Sequence, residues 1–246
     1  MTKRFLTISV PTPGFPIPST RCVGVNPRPS EQTGASLPSR IVLPQLTVEH
    51  KLWQRSLKVV AGVDEVGMGP LAGPVVAAAV IFPPTESAPE IPSTFPQGVR
   101  DSKTLTAKAR ERLAQEIRGI AVGVGIGVIE VEEIDRINIY QAGLKAMRLA
   151  VTQLSVDPEH VLIDGRSLAD LPYPQTSFIK GDRDVYSIAA ASIVAKVYRD
   201  RLMGAFDRLY PEYGFARHMG YGTAAHRAAL RQFGPCPIHR RSFRLV

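Results

Sequence analysis

Four acidic residues of this 246-residue sequence lie at the ends of short runs that predict strands. They are Asp64 and Glu65 after the run 58–63, Asp164 after the run 161–163, and Asp182 after the run 176–179. Apolar, β-branched runs of this length predict strands. Because neighbouring strands end along one edge of a sheet, carboxylates at these positions can converge there, whereas acids on helix faces are usually solvated.

Converging carboxylates repel one another and need protons or cations at neutral pH. Cysteine ligands are scarce, because the two cysteines, Cys22 and Cys236, are far apart and outside any CxxC pair. Oxygen-only ligands select Mg²⁺ or Mn²⁺ over zinc. Such a site suits phosphodiester hydrolysis with two ions, of which one activates water and the other stabilises the leaving oxygen. Each acid alone is better explained as a turn or helix cap, but the four together favour the metal site.

The turn after the first strand decides whether Asp64 and Glu65 serve the same site. Adjacent strand residues point to opposite faces, so the two carboxylates meet only if the backbone turns there. The glycines of Gly67-Met68-Gly69 permit a turn, and we expect the strand to end at Asp64.

The charge distribution fits an enzyme that binds nucleic acid with the help of metal ions. The formal net charge is +8, with +6 over residues 1–58, −4 over 59–200 and +6 over 201–246. Carboxylates would hold cations and arginines would hold phosphates, and we interpret Arg240 and Arg241 as a phosphate-binding patch. A composition with 44% hydrophobic residues supports a sizeable core. No run is long enough to cross a bilayer, and the unpaired cysteines indicate a reducing compartment, expected to be the cytoplasm.

Two regions are expected along the chain. Residues 1–57 are predicted to be a proline-rich, disordered extension, since residues 1–45 hold eight prolines and no apolar periodicity. Residues 58–246 are predicted to form the catalytic domain. Trp53 is expected to pack the segment before the first strand onto that domain.

The remaining pattern predicts an α/β fold. Strands are predicted at 58–63, 71–82, 121–129, 161–163 and 176–179, and helices at 106–118, 132–154, 185–209 and 223–233. Three strands in series favour antiparallel pairing, and the later helix–strand alternation favours parallel addition. We therefore expect a mixed five-stranded central sheet flanked by helices, with a helical C-terminal part.

Seven motifs, in order along residues 59–244, make the sequence resemble bacterial ribonuclease HII. They are Gly62 to Val75, Asp101-Ser102-Lys103, Leu162 to Gly165, Lys180-Gly181-Asp182, Ala190 to Val197 with Arg199-Asp200, His218 to Tyr221, and His239 to Phe243. The resemblance implies a ribonuclease H-like fold and an endonuclease that cuts the RNA strand of RNA–DNA hybrids. It also implies nicking of duplex DNA on the 5′ side of a single ribonucleotide, leaving 5′-phosphate and 3′-hydroxyl ends, in ribonucleotide removal and DNA replication or repair.

The resemblance implies roles for individual residues as well. Asp64, Glu65 and Asp164 match the family's metal ligands for Mn²⁺ or Mg²⁺, and Asp182 matches a fourth essential carboxylate. Tyr221 matches a tyrosine that packs against the deoxyribose at the RNA–DNA junction. Further substrate-binding positions are expected at Gly67, Met68, Gly69, Lys103 and Ser192. At Gly67 and Gly69 the backbone would approach the ribose 2′-hydroxyl, which distinguishes RNA from DNA.

Two departures from the family pattern are expected to weaken binding without affecting the chemistry. Met68 and Met219 stand where the family has basic residues that would contact phosphate. The expected partners are RNA–DNA hybrids and ribonucleotide-containing duplex DNA, with no membrane and with the protein acting as a monomer. No clamp-binding peptide is expected, because the sequence has no extension beyond Arg241-Ser242-Phe243.

Two other function classes remain possible at this stage. A junction resolvase would also use carboxylates at strand ends, although the glycines and Tyr221 argue against it. A catalytically silent hybrid-binding protein would be consistent with Met68 and Met219, although the four acids argue against it. Cleavage of an all-DNA junction and a nicking assay discriminate between these classes.

Overall fold

The structure, a computed structural model, describes residues 43–86 and 90–246. All of these residues fall within one compact unit. The prediction for residues 1–42 therefore lies outside the described residues. Within the part that is described, no helix is long and apolar enough to cross a membrane.

A five-stranded mixed sheet forms the centre of the fold. Its strands are β1 (Val60–Val66), β2 (Val75–Ile81), β3 (Gly123–Ile129), β4 (His160–Asp164) and β5 (Gln175–Phe178). The spatial order is β3-β2-β1-β4-β5, in which β1, β2 and β3 pair antiparallel and β4 and β5 add in parallel. This topology confirms the predicted fold class, including the switch from antiparallel to parallel pairing at β1.

Helices cover both faces of the sheet. They are α1 (Thr47–Gln54), α2 (Ala107–Ile120), α3 (Val131–Ile137), α4 (Ile139–Thr152), α5 (Gly181–Asp184), α6 (Tyr186–Leu209), α7 (Phe215–His218) and α8 (Ala224–Phe233). Strand β2 is buried along its whole length, and its side chains point alternately to the two faces of the sheet. They therefore pack into two hydrophobic cores, one against α6 and the other against α4. Helix α4 lies very close to β3, since a Cβ added at Gly127 would stand 2.0 Å from the carbonyl oxygen of Ala146.

The predicted helix 132–154 is two helices, and the single-helix prediction was wrong. Asn138 interrupts it with a φ of 69° and a ψ of 162°, a backbone conformation that is strained for any residue with a side chain. Its side-chain oxygen then accepts a hydrogen bond from the Gln141 backbone N–H at 3.0 Å and caps α4. The helical spacing of apolar residues continues through this break, so the periodicity of the sequence does not reveal it.

The described part of the expected extension, residues 43–57, packs on the domain, so a boundary at residue 58 is wrong for this segment. Leu46, Leu52 and Trp53 are buried in the α6-side core, as expected for the tryptophan. The buried carboxylate of Glu49 accepts a hydrogen bond from the Ser187 backbone N–H at 2.8 Å, at the start of α6. Helix α1 therefore ties the chain before β1 to the longest helix.

Candidate active site

Asp64 and Asp164 lie where two parallel strands separate. The β1–β4 ladder ends at the pair Val63 and Ile163. The next residue of β1 pairs with β2, and the next residue of β4 pairs with β5. The two aspartates are these next residues, so they flank a notch at the carboxyl ends of β1 and β4. A notch of this kind at a switch point is a common place for ligands in α/β sheets.

β1 does not end at Asp64, and the expected turn between Asp64 and Glu65 is absent. Both residues pair in register with β2, opposite Ala78 and Ala77. The side chains consequently point to opposite faces of the sheet. Asp64 hydrogen-bonds the Ser192 hydroxyl of α6, whereas the Glu65 Cγ lies 3.9 Å from the Cβ position of Gly143 in α4.

Asp164 connects the two faces through the notch. Together with Glu65 it lines a cavity of about 180 Å³ beside α4, and it also acts electrostatically on Asp64 across the sheet. Its Oδ1 accepts a hydrogen bond from the Gly181 backbone N–H at 2.7 Å. This bond holds β4 to α5, which carries the fourth carboxylate, Asp182.

Burial and neighbouring carboxylates raise the pKa values of Asp64, Glu65 and Asp182. The pKa of Asp64 is raised well above its ordinary value, mainly by burial and to a smaller extent by the charges of Glu65 and Asp164. The pKa of Glu65 is raised mainly by burial and next by the charge of Asp164, and the ammonium of Lys103 partly offsets this increase. Burial raises the pKa of Asp182 too, with Asp101 and Asp164 contributing next. The site therefore carries more negative charge than its surroundings balance.

The donor chemistry of this group suits a hard divalent cation. All four side chains supply oxygen, and a cation would offset both the burial of Asp64 and the repulsion from its neighbours. Within residues 43–86 and 90–246, no three His, Cys, Asp or Glu side chains are placed so as to enclose an ion. The carboxylates thus surround an open notch and do not form a closed coordination shell.

Two predicted substrate positions lie close to these acids. Lys103 is exposed on a short 3-10 turn, Ser102–Thr104, and its charge reaches both Glu65 and Asp182. Ser192 is buried, and its Oγ lies 2.9 Å from the Oγ of Ser102 as well as bonding to Asp64. In this structure Ser192 holds a carboxylate in place, and its side chain does not face the surface.

The two glycines after β1 occupy different environments. Gly67 is buried with a φ of 97°, and a Cβ there would stand 2.4 Å from the Arg199 Nε. Gly69 is exposed, and the nearest atom to its Cβ position is Cε1 of Tyr221 at 3.7 Å. Met68 packs its sulfur against Gly143 and lines the same cavity as Glu65 and Asp164. Gly69 and the half-exposed Tyr221 therefore form an open surface at this loop.

Two buried arginines hold the glycine loop, and sequence reasoning missed this role. Arg199 donates to the carbonyls of Pro74, Ala72 and Met219, and Arg240 donates to those of Gly73, Met68 and Gly67. The assignment of Arg240 to a phosphate patch was wrong, because its guanidinium is fully buried against the loop backbone. A guanidinium presents five donors in a rigid fork, which suits a cluster of carbonyls. No periodicity in the sequence signals such a contact.

Comparisons with a family model, with curated proteins and with solved structures all find ribonucleases of one type. The family model for ribonuclease HII matches residues 61–246. Ribonuclease HII of Syntrophotalea carbinolica is 49% identical over 209 residues, which are 85% of this chain and 96% of that protein. Ribonuclease HII of Geobacter metallireducens is 54% identical over 200 residues, 81% of this chain and 90% of that protein. The crystal structure of ribonuclease H2 from Pyrococcus horikoshii superposes with a TM-score of 0.63 at 28% identity, covering 76% of this chain and 94% of that one.

Proposed function

Because the chain belongs to the ribonuclease HII family, whose members are metal-dependent endonucleases of the ribonuclease H type, we propose that it nicks duplex DNA 5′ of a single ribonucleotide. The products would carry 5′-phosphate and 3′-hydroxyl ends. RNA–DNA hybrids are the general substrate of ribonuclease H activity. A role in ribonucleotide removal during DNA replication or repair follows from the nicking activity.

One observation carries this proposal: four carboxylates that act on one another surround a notch, and Met68, which lines the cavity beside two of them, is followed in the chain by the open Gly69 with Tyr221 beside it. Asp64, Glu65 and Asp164 would hold the cations, and Mn²⁺ or Mg²⁺ suits their oxygen atoms. Two bound cations supply activation of the attacking water and stabilisation of the leaving oxygen in phosphodiester hydrolysis.

The chain's own groups orient these ligands. The Ser192 hydroxyl and the Glu65 backbone N–H, which lies 2.8 Å from Oδ1, both bond to Asp64. The Gly181 N–H fixes one oxygen of Asp164. Because these donors come from β1, α5 and α6, the carboxylates are held by three separate elements of the fold.

Substrate recognition would come from the loop beside the notch. Gly69 lacks a side chain on an exposed surface, so a ribose can approach its backbone closely and present the 2′-hydroxyl. The Tyr221 ring lies beside this glycine, with its Cε1 3.7 Å from the Cβ position, so a sugar at Gly69 would be close enough to pack against the ring. Lys103 supplies a positive charge on the α5 side of the acids.

The test is digestion of an end-labelled duplex that contains one ribonucleotide, with Mg²⁺, Mn²⁺ and EDTA compared. We expect a single cut on the 5′ side of the ribonucleotide with either metal and none in EDTA. An all-DNA duplex of the same sequence is the control and should stay intact. Equal cutting of both duplexes, or cutting only in long RNA–DNA hybrids, would contradict the proposed nicking.

A further inference from the structure

A chain of hydrogen bonds between two buried histidines ends at the backbone of Tyr221. His226 of α8 is fully buried, and its Nδ1 lies 2.9 Å from the Tyr221 carbonyl oxygen. Its Nε2 lies 2.9 Å from Nε2 of His239, which is also buried. The Nδ1 of His239 in turn lies 3.0 Å from the Cys236 backbone nitrogen.

Only one arrangement of protons satisfies this chain. A carbonyl oxygen can only accept, so His226 Nδ1 carries hydrogen and donates to Tyr221. A neutral His226 then has a bare Nε2, so His239 must carry its hydrogen on Nε2, and its Nδ1 accepts from the Cys236 N–H at 3.0 Å and does not donate to the Cys236 carbonyl at 3.3 Å. With both rings neutral, His239 Nε2 donates to His226 Nε2, and every buried nitrogen of the pair has a partner. Burial lowers the pKa of both rings, to about 4 for His239, which keeps them neutral near pH 7.

The chain joins the two sides of the surface formed by Gly69 and Tyr221. The backbone around His239 is bonded to the glycine loop, since Gly73 N–H donates to Ile238 at 2.8 Å and Arg240 N–H donates to Leu71 at 2.9 Å. The side chain of His239 reaches His226, and His226 reaches Tyr221. The glycine loop and Tyr221, which form the two sides of this surface, are therefore both hydrogen-bonded to the segment or side chains of the same buried histidine pair.

A third histidine supports the same loop. The ring of His218 stacks on His226 with centroids 4.5 Å apart and planes 14° apart. Its Nε2 donates to the Tyr213 carbonyl at 2.9 Å, and its Nδ1 accepts from the Gly220 N–H at 3.3 Å. His218 thus faces inward beneath Gly220, the residue before Tyr221, and its ring nitrogens are used within the protein.

We propose that His226 is a positioning residue, which sets the place of the Tyr221 ring beside Gly69 through the Tyr221 carbonyl, with His239 fixing the tautomer that makes this possible. The role rests on the proposed use of Tyr221 in substrate binding. This role predicts that the two buried hydrogen bonds of His226 affect substrate binding to different extents. The bond to Tyr221 controls substrate affinity, and the bond to His239 mainly contributes stability.

Two conservative variants separate these bonds. In His226→Asn the amide N–H takes the place of Nδ1 and keeps the donor to Tyr221. In His226→Gln the longer side chain takes the place of Nε2, so it keeps the contact with His239 and loses the donor to Tyr221. Each variant removes one buried hydrogen bond, and we expect both to lower the melting temperature to a similar extent. A purely structural role would give both the same kinetics.

The experiment measures kcat and KM on a duplex with one ribonucleotide for wild type, both variants, Tyr221→Ala and the double variant His226→Gln/Tyr221→Ala. We expect Tyr221→Ala and His226→Gln each to raise KM about tenfold, the size of a lost aromatic stacking contact, and His226→Asn to raise it less than about twofold. In the double variant His226→Gln should add nothing, because its effect passes through the tyrosine.

Equal KM values for His226→Asn and His226→Gln would overturn the inference, as would an additive double variant. So would an unchanged KM in either Tyr221→Ala or His226→Gln. A wild-type protein that cuts RNA–DNA hybrid but not the single-ribonucleotide duplex would contradict the proposed function instead. The same five proteins compared on the hybrid would then still decide the role of His226.

Discussion

Replacing Gly67 and Gly69 by alanine separates a structural glycine from a functional one within the same loop. Gly67→Ala places a Cβ at a φ of 97°, 2.4 Å from Arg199 Nε and 2.8 Å from the Pro74 carbonyl oxygen. Gly69→Ala meets only the Tyr221 ring at 3.7 Å, which is an ordinary contact distance. The first change should damage the fold, and the second should damage substrate approach.

The cost of Gly67→Ala has two parts. A left-handed conformation costs an alanine about 1–2 kcal/mol. Displacement of Arg199 weakens hydrogen bonds to carbonyls, each worth about 1.5–3 kcal/mol because the donor is charged. Loss of one such bond brings the total to about 3–5 kcal/mol. For a domain of this size, that lowers the melting temperature by roughly 6–20 °C.

Urea unfolding and nicking kinetics, both measured on each variant, check this reasoning. Gly67→Ala should lose about 3–5 kcal/mol of unfolding free energy. Gly69→Ala should stay within about 1 kcal/mol of wild type but bind the ribonucleotide duplex at least about tenfold more weakly, because the methyl group holds the sugar away. Wild-type stability in Gly67→Ala, or wild-type affinity in Gly69→Ala, would refute the assignment of the two glycines.

Three other changes probe the acids, the loop and the helix break. Because the pKa of Asp64 is raised, the folded protein binds this proton more tightly than the unfolded chain, so in EDTA wild type should lose unfolding free energy relative to Asp64→Asn as pH rises from about 4, the pKa of an unfolded aspartate, towards the raised pKa of the folded state; a constant difference in urea titrations would contradict this. Met68→Arg should steepen the log K versus log salt slope by about 0.9, one duplex phosphate, whereas an unchanged slope in binding titrations would mean that position 68 does not reach phosphate. Asn138→Ala should cost about 1 kcal/mol in thermal unfolding, the usual value of a lost N-cap, with normal nicking. Asn138→Gly should recover most of this loss, because glycine is unstrained at a φ of 69° and a ψ of 162°; equal losses would contradict the strain argument.

The sheet was predictable from the sequence because its strands carry strong local signals. The apolar runs that end near Asp64 and Asp164 predicted strands. The order of strands and helices along the chain predicted which strands pair antiparallel and which pair parallel. Helix starts with a polar cap were also found, as at Thr106, whose side chain accepts from the Ala109 N–H. Element ends and interruptions, such as the break at Asn138, depend on single residues that periodicity does not resolve.

The electrostatic proximity of the four acids was predictable, but the way they reach one another was not. A turn after Asp64 was expected, whereas β1 runs on to Val66 and Asp164 connects the two faces through the notch. The buried supports, Arg199 and the histidine pair, gave no signal because charged and polar residues in a sequence are ordinarily interpreted as surface. The burial of Arg199 is compensated by carbonyl groups distant in the chain, and the burial of the two histidines is compensated by their bond to each other and by the Tyr221 and Cys236 backbone, which only the folded structure reveals.

The most direct test of the account is the binding of Mn²⁺ to the carboxylates around the notch. Titration of the protein with Mn²⁺, followed by the electron paramagnetic resonance signal of the free ion, should show two bound ions for wild type. Asp164→Asn should weaken this binding at least about tenfold and abolish nicking, since it removes an oxygen ligand that acts on both faces of the sheet. Asp170→Asn, which changes an exposed carboxylate with a weak ion pair to Arg148, should bind Mn²⁺ as wild type does. Unchanged Mn²⁺ binding in Asp164→Asn would contradict the assignment of the metal site.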